Sequence, residues 1–390
     1  MSVLPLCTYD WLYRPSHRAE PSVSRSVAII GTRGYPSYYG GFETAVRRLA
    51  PFLADAGWDV TVYGRKGSVQ ADDPERNDDV RSVYSWGVNS KSLSTLSFGA
   101  TATASAFSRK PDVALIMNVA NGFFLPALRA RGVPTLLNVD GIEWDRAKWN
   151  RAAKAVFRAG AVMSARWADE LVFDARAIGD RWKREFHADG TFIPYGGDTH
   201  GALPVDDGLQ HRGYVLYVAR FVPENSINEF FQAAEVLAER WPVVIVGSDG
   251  FHGDFDRAAQ ALSDRSPQIR WLGHVNDDDR LKSLWQHAGA YFHGHSVGGT
   301  NPALVQAMAS GAPTVARDTV YNRETLAETG LFVQPDADSI IERVDELMTS
   351  GDGERLGQAA RERAQADYSW HGVCRAYETA LADLIDKKQR

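Results

Sequence analysis

Short runs of apolar and β-branched residues alternate along this chain with longer segments whose apolar positions recur at helical spacing, the pattern of βα units around a parallel sheet. Seven such runs, Ser26–Ile30, Val60–Tyr63, Val80–Tyr84, Val113–Met117, Thr135–Val139, Leu171–Phe173 and Thr191–Ile193, predict one sheet. After Pro194-Tyr195-Gly196-Gly197-Asp198 the chain turns polar as far as Gly213, with Gly and Pro interspersed. A second series then begins with Tyr214–Val218, Val243–Val246, Ile269–Trp271, Tyr291–Phe292, Thr314–Ala316 and Leu331–Val333. The pattern predicts two doubly wound α/β domains with a boundary near 200–212, taken as 25–205 and 206–367, behind a loose N-terminal extension over 1–24. Ligands of doubly wound sheets sit beyond the C-terminal strand ends, so two such sheets facing each other would enclose a ligand in the cleft between them.

A length of 390 residues and a mass of 43.0 kDa agree with two α/β cores. Hydrophobic residues at 44%, charged residues at 24% and a mean hydropathy of −0.31 exclude a disordered, fibrous or multi-span membrane chain. The longest apolar candidate, Ala155–Trp167, is interrupted by Arg158 and Arg166, so no spanning helix is expected. Residues 1–25 scatter Asp10, Arg14, Arg18 and Glu20 among short apolar pieces, which leaves no signal-peptide core. Cys7 and Cys374 stand almost a chain length apart, which argues against a disulfide framework or thiolate zinc site and fits a reducing, cytoplasmic setting. Residues 1–200 hold 25 Lys/Arg against 21 Asp/Glu, a net +4, while 201–390 hold 18 against 28, a net −10. That asymmetry fits a first domain facing an anionic membrane surface and a second held off it.

Four segments carry candidate chemistry. Gly31-Thr32-Arg33-Gly34 follows the first strand, and Gly40 and Gly41 open a helix whose apolar stripe is Phe42, Ala45, Val46, Leu49, Phe52 and Leu53. Glycines there let backbone N–H groups and the helix dipole meet an anion, or simply make a tight βα turn. The segment is not GxGxxG, and the chain has no GK[ST], so nicotinamide and P-loop readings lose support. Arg220 ends the strand Tyr214–Val218, where a guanidinium could hold a diphosphate bidentately or pair structurally with Glu224 or another carboxylate. His293-Gly294-His295-Ser296-Val297-Gly298-Gly299-Thr300-Asn301-Pro302 follows another strand, with Asn301 as N-cap and Pro302 at the first helical position. Its two histidines lack a nearby carboxylate and HExxH spacing, so a polar or packing role is favoured over metal binding. Asn138–Asp145 gathers Asp140, Glu143 and Asp145 at a strand end, suited to sugar hydroxyls or to ordinary solvated loop carboxylates. The basic, aromatic segment Arg146–Trp167 reads either as a helix on an anionic bilayer or as a surface helix packed on its own sheet.

In this order the pieces resemble a glycosyltransferase of the GT-B fold, family GT4, over nearly the whole chain from Ser26. Gly40-Gly41, Leu49-Ala50 and Gly57-Trp58-Asp59-Val60-Thr61-Val62 are similar to that family's opening, Ile193–Asp198 to its interdomain junction, and Ala309–Ala316 to its A.G.PVVA segment. More narrowly, Gly31–Gly34, Gly40–Thr44, Asn138–Trp149 and His293–Pro302 resemble the rhamnosyltransferase branch that builds bacterial surface polysaccharide, of the β-1,4-rhamnosyltransferase type.

The resemblance implies two Rossmann-like domains, the first completed by the C-terminal helix 368–390. It further implies retaining, metal-independent transfer of L-rhamnose from dTDP-β-L-rhamnose to a lipid-linked saccharide. No cofactor beyond the nucleotide-sugar donor and no nucleic-acid partner is expected. Arg220 and Asp140 are then the catalytic candidates. Gly40, Gly41, Arg220, Asn225, Gly298, Gly299, Thr300, Asn301 and Gln306 would bind the donor, and Glu43, Asp140 and Glu143 the acceptor. Two positions depart from the family pattern: Asn225 stands where a lysine partner of the arginine is usual, and the E-x7-E pair falls on Gly298 and Gln306. A UDP- or GDP-hexose donor, or a degenerate nucleotide-binding partner subunit, are the alternatives. A glycosidase is disfavoured for want of two well-placed carboxylates.

Overall fold

The computed structural model describes residues 25–38, 40–88, 94–146, 149–250 and 253–390. The extension 1–24, with Cys7, lies outside the described residues. Strands that are apolar along their whole length need cover on both faces, and this is how the two sheets are built. In the first, β1 (Ser26–Ile30), β2 (Asp59–Arg65), β3 (Val80–Ser85), β4 (Val113–Met117), β5 (Thr135–Asn138), β6 (Glu170–Phe173) and β7 (Thr191–Phe192) run parallel in the order β3-β2-β1-β4-β5-β6-β7. All five residues of β4, Val-Ala-Leu-Ile-Met, are buried.

The second sheet holds β8 (Val215–Val218), β9 (Val243–Val246), β10 (Ile269–Trp271), β11 (Ala290–His293), β12 (Thr314–Arg317) and β13 (Leu331–Val333), parallel in the order β10-β9-β8-β11-β12-β13. Every strand expected from the sequence is present, with ends shifted by two residues or fewer. Strand order reverses between β1 and β4 in one sheet and between β8 and β11 in the other. The loops leaving those strands therefore splay apart and open a crevice at each switch point.

The helix Gly41–Asp55 buries Ala45, Val46, Leu49, Ala50 and Leu53 against the first sheet, the stripe its spacing predicts. The last helix, Trp370–Gln389, packs on it and on β4 and β5, burying Tyr377, Leu381, Leu384 and Ile385 in the same core. Each fully buried side chain of this size stabilises by ~1.5–3 kcal/mol, so four of them fix the C-terminal segment to the first sheet. Tyr377 also accepts a 2.7 Å hydrogen bond from Asn138 Nδ2 at the end of β5. The chain crosses between sheets twice, side by side, with Gly197 N donating to Tyr368 O at 2.8 Å. A Cβ at Gly196 would lie 2.6 Å from Cδ2 of Trp370, so only glycine lets the two crossings close up.

The helix Arg151–Trp167 buries Gly160, Ala161 and Ser164 and exposes Arg151, Arg158 and Arg166. Among the described residues no helix is long and apolar enough to cross a membrane. Cys374 is buried within the first core, which pushes its thiol up to about 12.

Candidate active site

The switch-point loops of both sheets line one cleft of ≈ 1090 Å³. From the second domain, β8 delivers Arg220 to its wall two residues past the strand end. The Arg220 side chain is exposed there, and among the described residues it has neither an ion pair nor a hydrogen bond, so no structural pairing with Glu224 exists. The loop after β11 contributes His295, Gly298, Gly299, Thr300 and Asn301, and it ends at the N-terminus of the helix Pro302–Ala309, where Asn301 Oδ1 accepts from Ala303 N at 2.9 Å. The first domain sends Gly40, Gly41 and Glu43 from the start of its first helix and Asp140, Glu143 and Arg146 from the loop after β5. Two helix N-termini and a guanidinium thus face one space, the arrangement that binds an anion.

Backbone strain marks the first-domain wall. Asn118 and Asp140, at the ends of β4 and β5, hold φ of 73° and 64°, and Asn118 Nδ2 donates to Asp140 Oδ2 at 3.1 Å. Left-handed conformations at non-glycine residues are costly and concentrate where a side chain must be aimed. Glu143 is 4% exposed, its carboxylate forming an ion pair with Arg146 Nε at 2.5 Å and accepting from the Trp149 indole N–H at 2.7 Å. The Arg146 guanidinium is thereby turned towards the glycine loop. A Cβ on Gly141 would stand 3.2 Å from Arg146 Nη2 and 3.1 Å from Gly298 Cα.

His295 lies between the charges of the two walls. Burial, then Arg220 and Arg146, lower its pKa to about 3, so the imidazole is neutral at physiological pH. It stacks at 4.3 Å on His293, which burial also keeps neutral and whose Nδ1 pairs with the Tyr291 hydroxyl at 2.9 Å. Among the described residues no three His, Cys, Asp or Glu side chains converge on a metal-sized site.

Residues 208–363 match the family model described as glycosyl transferases group 1, and residues 40–196 match the glycosyl transferase 4-like domain. The chain belongs to the GT4-type glycosyltransferases. It is 29% identical over 168 residues to an O-antigen chain mannosyltransferase B of Escherichia coli, covering 42% of this chain and 44% of that protein. A phosphatidyl-myo-inositol mannosyltransferase of Mycolicibacterium smegmatis is 30% identical over 232 residues, 54% of this chain and 58% of its own length. The matches thus span about half the length of those curated relatives. Sucrose-phosphate synthase of Thermosynechococcus elongatus superposes with a TM-score of 0.77 at 20% identity, covering 93% of this chain and all of that one. Anabaena Alr3699/HepE in complex with UDP gives a TM-score of 0.69 at 13% identity over 92% of this chain and 100% of that one. The fold is GT-B.

Within this glycosyltransferase several residues expected to touch a substrate are engaged elsewhere. Gln306 is absent from the cleft lining: its Oε1 accepts from Asp198 N at 3.0 Å and its Nε2 donates to Asp198 O at 2.9 Å. It braces the interdomain junction, because position 306 lies beyond the first turn of its helix on the face towards residues 197–198. Asn225 lines the cleft but is 4% exposed, and its Nδ2 donates to Arg220 O at 2.8 Å, shaping the turn that presents the arginine. Glu143 holds Arg146 and is not an open hydroxyl acceptor. Glu43, 6% exposed, accepts from Arg33 N at 2.9 Å and so ties the Gly31–Gly34 loop to the first helix. Thr300 donates its N–H and hydroxyl to Asp174 O. Asp145 points away to Arg181.

Arg146 and Asp174 are among the lining residues not expected there. Arg146 reads in the sequence as part of a basic segment, and nothing local singles out Asp174. The rule that strand C-termini face the ligand would have singled out Asp174, directly after β6.

Proposed function

We propose that this glycosyltransferase moves a sugar from a nucleoside diphosphate sugar to a saccharide hydroxyl, with retention of configuration. L-Rhamnose from dTDP-β-L-rhamnose is the first donor and a lipid-linked saccharide the acceptor. The observation that carries this reading is Arg220, a guanidinium without a partner among the described residues at the end of β8, facing two helix N-termini. A departing diphosphate gathers negative charge, and a preorganised cation and dipoles stabilise that charge more in the transition state than in the bound substrate. Neutral His295 adds hydrogen-bonding capacity beside Arg220 without adding charge. Asp140, aimed by its strained backbone and by Asn118, positions the sugar or the acceptor hydroxyl.

Rhamnose rests on the resemblance of Gly31–Gly34, Gly40–Thr44, Asn138–Trp149 and His293–Pro302 to the rhamnosyl branch. A second reading keeps the mechanism and changes the donor to a UDP- or GDP-hexose, favoured by the mannosyltransferase names of both curated relatives. A peripheral site on the inner, anionic face of a membrane is supported by the exposed Arg151, Arg158 and Arg166 alongside Val156 and Val162. Turnover by the purified protein across dTDP-rhamnose, GDP-mannose and UDP-hexoses separates the donors. Rhamnosyl transfer selects the first reading, hexosyl transfer the second, and nucleotide binding with no transfer from any donor would overturn both in favour of a degenerate subunit.

A further inference from the structure

Residues 174–177 belong to the first domain, yet several of their backbone groups bond to the second. Asp174 O accepts from Thr300 N at 3.3 Å and from the Thr300 hydroxyl. Two residues on, the helix Arg176–Phe186 begins at Ala175, whose side chain cannot cap it. Its first N–H groups are capped from across the cleft, Arg176 N donating to Glu324 Oε1 at 2.7 Å and Ala177 N to Glu324 Oε2 at 3.0 Å. The Asp174 carboxyl is 2% exposed, its Oδ1 has no hydrogen-bond partner, and it lies flat against Gly299. A Cβ at Gly299 would sit 2.5 Å from Asp174 Cγ, so the glycine is required by the carboxyl beneath it.

We propose that Asp174 is the positioning residue of the donor loop, clasping residues 298–301 to the first domain so that the cleft is held at the width a donor and an acceptor must share. The proposal rests on the glycosyl-transfer reading. Glu324 is the second point of the clasp. Burial, then the neighbouring Asp140, raise the Asp174 pKa to about 8, with its own backbone N–H and then Arg146 opposing and Glu324 adding to the rise. The groups facing it are Asp140 and Arg146 from the loop after β5, Glu324 and Tyr321 from the helix Val320–Leu326, Tyr195 from the junction and Tyr377 from the last helix. Below that pKa the carboxyl is neutral and the loop can rest on it. Above it, an ionised carboxylate buried beside Asp140, with Oδ1 unbonded, is relieved by water, which enters when the loop lifts. Because the folded pKa stands above the ordinary carboxyl value of 3.8, this group's contribution to stability declines as pH rises from near 4 to about 8.

The test compares wild type, Asp174→Asn, Gly299→Ala and the double variant Gly299→Ala/Asp174→Ala by donor KM against pH and by small-angle X-ray scattering. In wild type the donor KM should rise at least about threefold between about pH 7 and 9.5 with a smaller change in kcat, and Asp174→Asn should lose that rise. Gly299→Ala should raise KM about tenfold or more, and removing the carboxyl in the double variant should bring it back within about threefold of wild type. An alkaline rise that persists in Asp174→Asn, a wild-type KM in Gly299→Ala, or a double variant no better than the single would each overturn the clasp. Scattering keeps the test independent of chemistry. A radius that grows with pH in wild type and not in Asp174→Asn supports the clasp even if no donor turns over, an outcome that would sink only the transfer reading, whereas an identical radius in both across the range overturns the clasp.

Discussion

The two walls of the cleft are built on the same architecture and prepared differently. On the second-domain wall Arg220 has no partner among the described residues, and the glycine loop beside it offers backbone and a helix N-terminus. On the first-domain wall three carboxylates are already engaged: Glu143 with Arg146 and Trp149, Glu43 with Arg33 N, Asp140 with Asn118. An unpaired guanidinium invites a charged ligand that arrives and departs, as a diphosphate must. Prepaired groups instead hold fixed directions for a neutral, hydroxyl-rich one. Overall charge does not foretell this division, since the acidic half of the chain carries the arginine.

The contrast breaks most sharply at Arg220. Arg220→Ala should lower transfer by ~10²–10³ or more, the cost of removing one oriented stabiliser of developing charge, while the thermal midpoint stays put because the exposed side chain holds nothing together. Glu143→Ala reverses the pattern. It strands Arg146 without its carboxylate and should destabilise by about 3 kcal/mol, read from the denaturant midpoint. Asn225→Lys supplies the lysine usual in the family. It removes the cap on the Arg220 carbonyl and buries an ammonium, so about 1–3 kcal/mol of stability should be lost with no gain in turnover. Increased turnover in that variant would show that the wall lacks a cation. Gln306→Glu has the smallest effect, about 1 kcal/mol from replacing the donor to Asp198 O, with nucleotide affinity unmoved, and a marked loss of affinity would return Gln306 to the donor site.

The strands were legible because parallel strands covered on both faces are short, continuous apolar runs, and β4 and β9 show this with every residue buried. Arg220 and the 298–301 loop were legible for a related reason, since each follows such a run. What escaped the sequence depends on pairs far apart in the chain. Asp174 meets Thr300 across 126 positions and Arg176 meets Glu324 across 148, and no local period marks either partner. The bracing contact of Gln306 escaped because its helical position was legible and its facing residue, Asp198, was not. Glu143 looked free until Trp149 and Arg146 closed on it.

The most direct test of Arg220 as the seat of the diphosphate is calorimetric titration of dTDP, UDP and GDP into wild type and Arg220→Ala without added metal. Binding of one nucleoside diphosphate to wild type, weakened at least about tenfold by the substitution, is predicted. Equal binding to both proteins, or binding of none of the three to wild type, would contradict it.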